Sequence, residues 1–276
     1  MTVGQQVKTT GRRASSGHAM QFLARAGLTA LGVIYILVGS LAVEVAFGDT
    51  DKNADRQGAL RAVGETPGGT IILWLLVLGF FGLALWRFAE AALGATGPDG
   101  QKATKRLSSL GAAVVYTGAF ISIASFVLGQ GGASGDKQSK NFTAEAMSAP
   151  GGRWLVLAVG LGLIGYGVAC VVNAVRRTFL KRLKRGEMTP AGRKVVEKLG
   201  IIGCSARGVV FGSAGVFLAD AAIRFDPDRA KGLDGTLREF AKTPAGPWLL
   251  VVIALGLVTY AVYCFCEARW RRVDPG

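Results

Sequence analysis

The stretch "TPGGTIILWLLVLGFFG" (66–82) decides the fold, because the chain repeats it twice. It returns as "APGGRWLVLAVGLGLIG" (149–165) and as "TPAGPWLLVVIALGLVT" (243–259). In each copy, a proline and a small residue precede an apolar run that is long enough to cross a ~30 Å hydrocarbon core as a helix. Copies at such long intervals indicate an internally repeated membrane protein.

A second motif precedes each copy. It reads "ALGVIYILVGSLA" (30–42), "AAVVYTGAFISIA" (112–124) and "ARGVVFGSAGVFLA" (206–219), with Tyr35, Tyr116 and Phe211 aligned. A short amphipathic segment lies between the two motifs, as in "GALRAVGETP" (58–67). Because backbone polar groups in lipid must bond within the chain, the apolar runs are expected to be helices. The fold class is therefore all-α: a polytopic membrane helix bundle of six transmembrane helices, arranged as three tandem two-helix repeats.

These motifs divide the chain into spans and segments. The six spans are predicted at 26–46, 70–92, 107–129, 153–175, 200–222 and 247–267. The domains are predicted as a disordered basic N-terminal tail at 1–21, hairpin repeats at 22–94, 107–176 and 199–272, and a basic cytoplasmic amphipathic segment at 177–198. The basic segment at 177–198 is expected to be an amphipathic helix pair that contacts lipid or a partner.

The formal net charge of +14 is distributed unevenly between the two sides of the predicted bundle. Outside the spans, 19 Lys and Arg residues lie on the side of the termini and 11 on the other side. The positive-inside rule therefore predicts that both termini are cytoplasmic. The basic excess is expected to contact anionic lipid head groups, and no nucleic-acid partner is expected.

The repeat motifs carry a family resemblance. The pattern of "ARAGLTALGVIYILVG", "GALRAV…TPGG" and "SARGVVF" resembles the bacterial, mainly actinobacterial, membrane family called domain of unknown function 1206. The resemblance covers residues 22–272 and implies a multi-pass protein of the bacterial plasma membrane, with no known activity, substrate or cofactor. In this chain Leu31 and Ala112 stand where the third repeat has Arg207.

Three hairpins of equal orientation are parallel repeats, unlike the inverted repeats of many transporters. They are expected to surround a pseudo-threefold axis, and either a cavity or a solid core is compatible with the sequence. Small residues let membrane helices approach closely, which is the role expected of Gly32, Gly39, Gly79, Gly82, Gly162, Gly165, Gly208, Gly212 and Gly215. The single GxxxG motif, Gly208 to Gly212, favours packing within the chain over a dimer interface. Each turn proline is predicted to open the second helix of its repeat.

Charged and polar side chains inside the spans form a predicted cytoplasmic-side layer. Its members are Arg87, Glu90, Asn173, Arg207 and Glu267. Glu90, Asn173 and Glu267 occupy equivalent repeat positions, and Arg87 can pair with Glu90 three residues on. Arg207 is predicted to pair with Glu267 or else with Glu90. The layer is either a paired structural network or a proton or anion site.

Glu44 and Asp220 form a second candidate layer near the outer interface. They are interpreted as interfacial charges or as an ion site, and Asp220 can pair with Arg224. No metal site is predicted, because the one histidine, His18, lies in the tail and the four cysteines read as packing residues.

The sequence is compatible with two functional hypotheses. No phosphate-binding loop, nucleophile elbow or zinc motif is present in the sequence, so neither an enzyme nor a cofactor is expected. The first hypothesis is a non-enzymatic membrane scaffold or accessory subunit with an unidentified membrane protein partner. The second is a small-solute or ion permease that uses the cytoplasmic-side Arg/Glu layer.

Overall fold

A computed structural model describes residues 18–47, 54–94, 103–129, 135–242 and 245–271. Most of the predicted disordered tail, residues 1–17, lies outside this part of the chain. Residues 18–21, which the prediction placed in the tail, form the first turn of a helix instead.

The described residues form nine α-helices. They are α1 (His18–Ala46), α2 (Arg56–Gly64), α3 (Gly69–Leu93), α4 (Ala103–Val127), α5 (Gly135–Ser148), α6 (Gly152–Val175), α7 (Pro190–Arg224), α8 (Leu233–Ala241) and α9 (Gly246–Trp270). Six of them are long and apolar enough to cross a membrane, namely α1, α3, α4, α6, α7 and α9. The chain is therefore a multi-pass, all-α membrane protein, as the sequence predicts. Below, the "turn end" of the bundle carries α2, α5 and α8, and the "basic end" carries the α6–α7 connection.

The connection at the basic end differs from the predicted amphipathic helix pair. Short 3₁₀ turns occupy Thr178–Arg182 and Arg185–Glu187. Helix α7 begins at Pro190, ten residues before the predicted span, because the Thr189 side chain caps it by accepting a hydrogen bond from the Gly192 N–H at 3.1 Å. The segment is not a free surface helix, since its apolar side chains are buried in the core: Phe179, Leu180 and Leu183.

The six long helices pack in a ring. The most extensive contacts join the second helix of one repeat to the first helix of the next, as α3 to α4, α6 to α7, and α9 to α1. Within repeats, α1 contacts α3 and α7 contacts α9, but α4 and α6 make no comparable contact. The ring is therefore open within the second repeat.

Small residues explain why the first and third hairpins close. A Cβ on Gly79 of α3 would lie 2.6 Å from the Ala30 Cβ of α1. At the equivalent point of the third repeat, a Cβ on Gly256 of α9 would overlap the Ala206 Cβ of α7. Membrane helices approach this closely only where one residue lacks a side chain.

The middle hairpin carries glycine on both helices at this crossing, yet its helices are apart. Gly111 of α4 aligns with Ala30 and Ala206, and Gly162 of α6 aligns with Gly79 and Gly256. A Cβ on Gly111, Gly118, Gly162 or Gly165 would meet no atom within 4 Å. The predicted packing role of Gly162 and Gly165 is therefore wrong.

The GxxxG motif of α7, Gly208 to Gly212, packs against α6. A Cβ on Gly208 would lie 2.7 Å from the Gly167 carbonyl oxygen, and one on Gly167 would lie 2.7 Å from the Gly212 Cα. The motif therefore packs within the chain, as predicted.

The turns that begin the second helices also depend on glycine. Gly68 and Gly151 adopt left-handed conformations as N-caps of α3 and α6, so these helices begin two residues after the proline rather than at it. The first residue of the second helix is glycine in all three repeats. A Cβ at this position would overlap a carbonyl oxygen of the preceding short helix. These overlaps would occur at Gly69 with Val63, Gly152 with Ala146, and Gly246 with Ala241.

The open hairpin predicts opposite effects for two equivalent substitutions. Gly256→Ala is expected to destabilise the protein by about 1–3 kcal/mol, because its methyl group overlaps Ala206. Gly162→Ala is expected to be neutral or stabilising by up to ~1 kcal/mol, because the site has space and alanine favours helix. Thermal unfolding of the purified protein in detergent measures both, and equal losses would show that the middle hairpin is closed.

Candidate functional site

A group of paired charges lies at the basic end of the bundle. Arg87 of α3 donates a hydrogen bond from Nη1 to Glu90 Oε2 at 2.9 Å, so the predicted pair forms. The Ser109 hydroxyl of α4 lies 3.4 Å from the same oxygen. The Glu90 carboxylate is only 7% exposed, and a charge this buried is tolerated only with such partners.

Arg271 completes this group, and it was predicted only as one of the basic residues on the side of the termini. It pairs with Glu267 one turn earlier on α9 and lies 3.7 Å from Glu90 Oε1. Its side chain is 5% exposed. The Glu267–Arg271 spacing of four residues was the available signal. Together Arg87, Glu90, Glu267 and Arg271, here called the charge layer, link the first repeat to the third with no net charge.

An apolar and aromatic floor covers the charge layer. The Trp86 ring lies 4.1 Å from the Arg271 guanidinium carbon and 4.5 Å from that of Arg87. Leu183 forms an isolated antiparallel bridge with Arg271 and is fully buried. The Lys184 N–H donates to the Trp270 carbonyl at 2.8 Å. The connection between α6 and α7 is thereby folded back against the end of α9.

Arg207 is not part of the charge layer. The predicted pairing with Glu267 or Glu90 is wrong, because Glu267 is taken by Arg271 and Glu90 by Arg87. Arg207 instead donates from Nη1 to the Tyr260 hydroxyl at 2.5 Å. No carboxylate among the described residues forms an ion pair with it, and its Nε is buried without an acceptor in that part of the chain.

Aromatic rings from four helices surround the Arg207 guanidinium. Their centroids lie 4.9 Å (Tyr260), 5.4 Å (Phe211), 5.5 Å (Tyr166) and 5.8 Å (Tyr35) from its central carbon. The sequence showed that these tyrosines lie inside spans but not that they converge. We call Arg207 with these four rings the aromatic cage.

The cage offsets part of the cost of placing a charge in the bundle. An arginine in a membrane span costs about 2.5–3.5 kcal/mol on insertion scales. A cation–π contact stabilises the guanidinium by ~0.5–2 kcal/mol. Aromatic rings carry no formal charge, so they do not neutralise the arginine. Arg207 is half-buried, and the nearby carboxylates Glu90 and Glu267 are paired with other arginines.

A second arginine enters the bundle from the turn end. Arg56, at the start of α2, places its guanidinium carbon 6.0 Å from the Phe80 ring and forms no ion pair among the described residues. Burial lowers the pKa of Arg56, while the nearby Tyr35 and Asp55 act in the opposite direction. Tyr35 thus lies within electrostatic range of both Arg56 and Arg207.

The other predicted site residues lie outside both groups. Asn173 is exposed and accepts hydrogen bonds from the Thr178 hydroxyl at 2.9 and 3.2 Å, so it contacts the connection after α6 rather than joining Glu90 and Glu267. Glu44 is exposed near the end of α1. Asp220 pairs with Arg224 at 2.7 Å, as predicted, and with Arg229 at 3.2 Å.

Comparison with known proteins identifies the repeated unit. The family model described as Domain of Unknown Function (DUF1206) matches three times, over residues 26–94, 107–177 and 202–271. The chain belongs to the DUF1206 family. It is also 30% identical to the "Uncharacterized protein YxxB" of Bacillus subtilis (strain 168) over 251 residues, which is 90% of each chain. No solved structure matches the chain.

The three DUF1206 copies place different chemistry at equivalent points. The Arg207 position holds Leu31 and Ala112 in the other copies, and the Tyr260 position holds Leu83 and Tyr166. Within the described residues, no three His, Cys, Asp or Glu side chains gather as metal ligands.

The charge layer predicts strong coupling between Arg271 and Glu267. Arg271→Leu is expected to cost about 3–5 kcal/mol of stability, because it leaves Glu267 buried and unpaired. The double variant Arg271→Leu/Glu267→Leu is expected to be more stable than the single one. Thermal unfolding in detergent measures both.

Arg269→Leu is the matched control for this cycle, since Arg269 lies two residues away and is exposed. It is expected to change stability by no more than ~0.5 kcal/mol. Additive losses from Arg271→Leu and Glu267→Leu would contradict the pairing.

Proposed function

We propose that this DUF1206 protein is a non-enzymatic scaffold or accessory protein of the bacterial plasma membrane, with both termini in the cytoplasm. The observation that carries this proposal is the charge layer. Its two arginines and two glutamates form ion pairs with one another, and none is more than 16% exposed. Charges arranged in this way hold helices together rather than receive a solute.

The permease alternative requires water or an ion to reach the same side chains. At the basic end, Phe179, Leu180 and Leu183 of the α6–α7 connection are buried in the core, and Leu183 lies beside Arg271 of the charge layer. Phe179 packs edge-on against the Tyr263 ring at a centroid distance of 5.3 Å. This packing favours a sealed basic end and the accessory role.

The second repeat offers a surface for an accessory role. Helices α4 and α6 are the least buried of the six spans. They expose apolar side chains such as Val114, Val115, Ile121, Leu155 and Leu161. This surface suits contact with lipid or with the helices of a membrane protein partner.

The non-enzymatic part of the proposal rests on the chemistry that converges in the bundle. Among the described residues, the two groups that converge inside the membrane spans at the basic-end side are the charge layer and the aromatic cage. Neither places a nucleophile beside a base, which is the arrangement that covalent catalysis requires. The orientation rests on the excess of Lys and Arg on the side of the termini.

Cysteine accessibility tests whether water can reach the charge layer. Ser109→Cys, in a variant without the four native cysteines, is expected to resist a membrane-impermeant maleimide from both faces, since Ser109 is buried beside Glu90. Lys181→Cys, at an exposed residue of the basic segment, is expected to react from the cytoplasmic face only. Labelling is read as a mass shift in right-side-out and inside-out vesicles.

Reaction of Ser109→Cys in folded protein would favour the permease, and reaction of Lys181→Cys from outside would reverse the proposed orientation. Affinity purification from native membranes then tests the accessory role. A partner recovered at fixed stoichiometry supports it, provided that substitutions on the exposed α4 and α6 surface abolish recovery.

A further inference from the structure

The second repeat is open to the side of the bundle. Gly111 and Gly118 of α4, and Gly162 and Gly165 of α6, are exposed and have free space where a Cβ would stand. At the equivalent crossing in the first repeat, Ala30 and Gly79 are in contact. The gap between α4 and α6 therefore faces the bilayer where the other two hairpins are closed.

This opening leads toward the aromatic cage. Tyr166 of α6 is 40% exposed, whereas its repeat equivalents Leu83 and Tyr260 are 0% and 5% exposed. The Tyr166 ring lies 5.5 Å from the Arg207 guanidinium carbon and is edge-on to Phe211 at 5.8 Å. The tyrosine at the edge of the opening is thus also a wall of the cage.

Arg207 supplies a charge that the bundle does not balance. The carboxylates of the charge layer are paired with other arginines, and the contacts of Arg207 are rings and one hydroxyl. The equivalent residues Leu31 and Ala112 show that the repeat fold forms without an arginine at this point. Its presence in one copy, beside the open copy, indicates recognition of an anion.

We propose that the opening between α4 and α6 admits an anionic lipid from the surrounding bilayer, whose headgroup binds the Arg207 guanidinium. A guanidinium offers planar, paired N–H donors that match a phosphate or carboxylate. The Arg207 Cα lies about 10 Å along α7 from Gly200, and its side chain tilts toward the helix N-terminus and the basic-end interface. The glycines along the opening leave space for the acyl chains.

Charge complementarity favours a lipid over a second polypeptide. Lipid is the neighbour of every bilayer-facing opening, and anionic headgroups concentrate at a basic membrane surface. The inference deepens the proposed accessory function by naming a lipid partner. It is independent of the cysteine test, since an accessible Ser109→Cys would refute the sealed layer without affecting lipid binding at Arg207.

Lipid binding to the delipidated, full-length protein tests the proposal. Native mass spectrometry and thermal unfolding in detergent compare phosphatidylglycerol, phosphatidylcholine with the same acyl chains, and inorganic phosphate. Wild-type protein is expected to retain phosphatidylglycerol and to gain thermal stability with it, and phosphatidylcholine is expected to have a smaller effect. Arg207→Leu is expected to weaken phosphatidylglycerol binding about tenfold or more, because charge-assisted hydrogen bonds are lost.

Three further variants complete the design. Arg193→Leu removes an exposed charge from the same helix and is expected to leave binding within about twofold of wild type. Arg207→Lys keeps the charge without the paired donors and is expected to bind with intermediate affinity. Gly162→Leu places a side chain in the opening, where a Cβ meets no atom within 4 Å, and is expected to weaken binding while the fold is retained.

Several outcomes would overturn the proposal. They are equal binding by wild type and Arg207→Leu, equal retention of the two phospholipids, and a response to inorganic phosphate as large as that to lipid. A photo-crosslinking residue at position 118 in native membranes gives an independent reading. A lipid-sized adduct supports the proposal, and an adduct with polypeptide alone, without lipid, contradicts it.

Discussion

The structure depends on the close approach of helices at small residues. In a bilayer no water is expelled when two apolar helices meet, so backbone proximity and side-chain packing must hold them together. The hairpin crossings at Ala30–Gly79 and Ala206–Gly256 and the α6–α7 crossing at Gly167–Gly208 supply this proximity. The middle hairpin has glycine on both helices at the equivalent position, Gly111 and Gly162, and yet these helices do not pack against each other.

The charges follow from the same environment. Where repeats one and three meet, Glu90 and Glu267 are buried and each has an arginine. These ion pairs connect the first repeat to the third at the basic end. Arg207 has rings instead of carboxylates, and it lies beside the one repeat that is open. The bundle therefore separates a compensated layer, which stabilises it, from an uncompensated charge, which is available to an external anion.

The sequence predicted the spans and the repeats, because length, hydropathy and repetition are properties of the chain itself. It also predicted the Arg87–Glu90 pair, which depends on local spacing alone. It missed the contact of Arg271 with Glu90 because the two residues are distant in the chain. The pair of Arg271 with Glu267 has a local spacing of four residues that was overlooked, and Arg207 was assigned to the carboxylate that Arg271 occupies. Gly162 was misread because a packing glycine and an exposed glycine look identical without the neighbouring helix.

Disulfide trapping measures the open middle hairpin most directly. A disulfide requires Cβ atoms about 3.5–4.5 Å apart, and the Cβ positions at the two closed crossings come into this range once the helices separate by about 1 Å. In protein without native cysteines, the pairs Ala30→Cys/Gly79→Cys and Ala206→Cys/Gly256→Cys are expected to form disulfides on mild oxidation, detected by peptide mass spectrometry. The pair Gly111→Cys/Gly162→Cys is expected to stay reduced. Rapid, complete crosslinking of that pair in native membranes would show that the second repeat is closed like the others and would contradict a lateral opening toward Arg207.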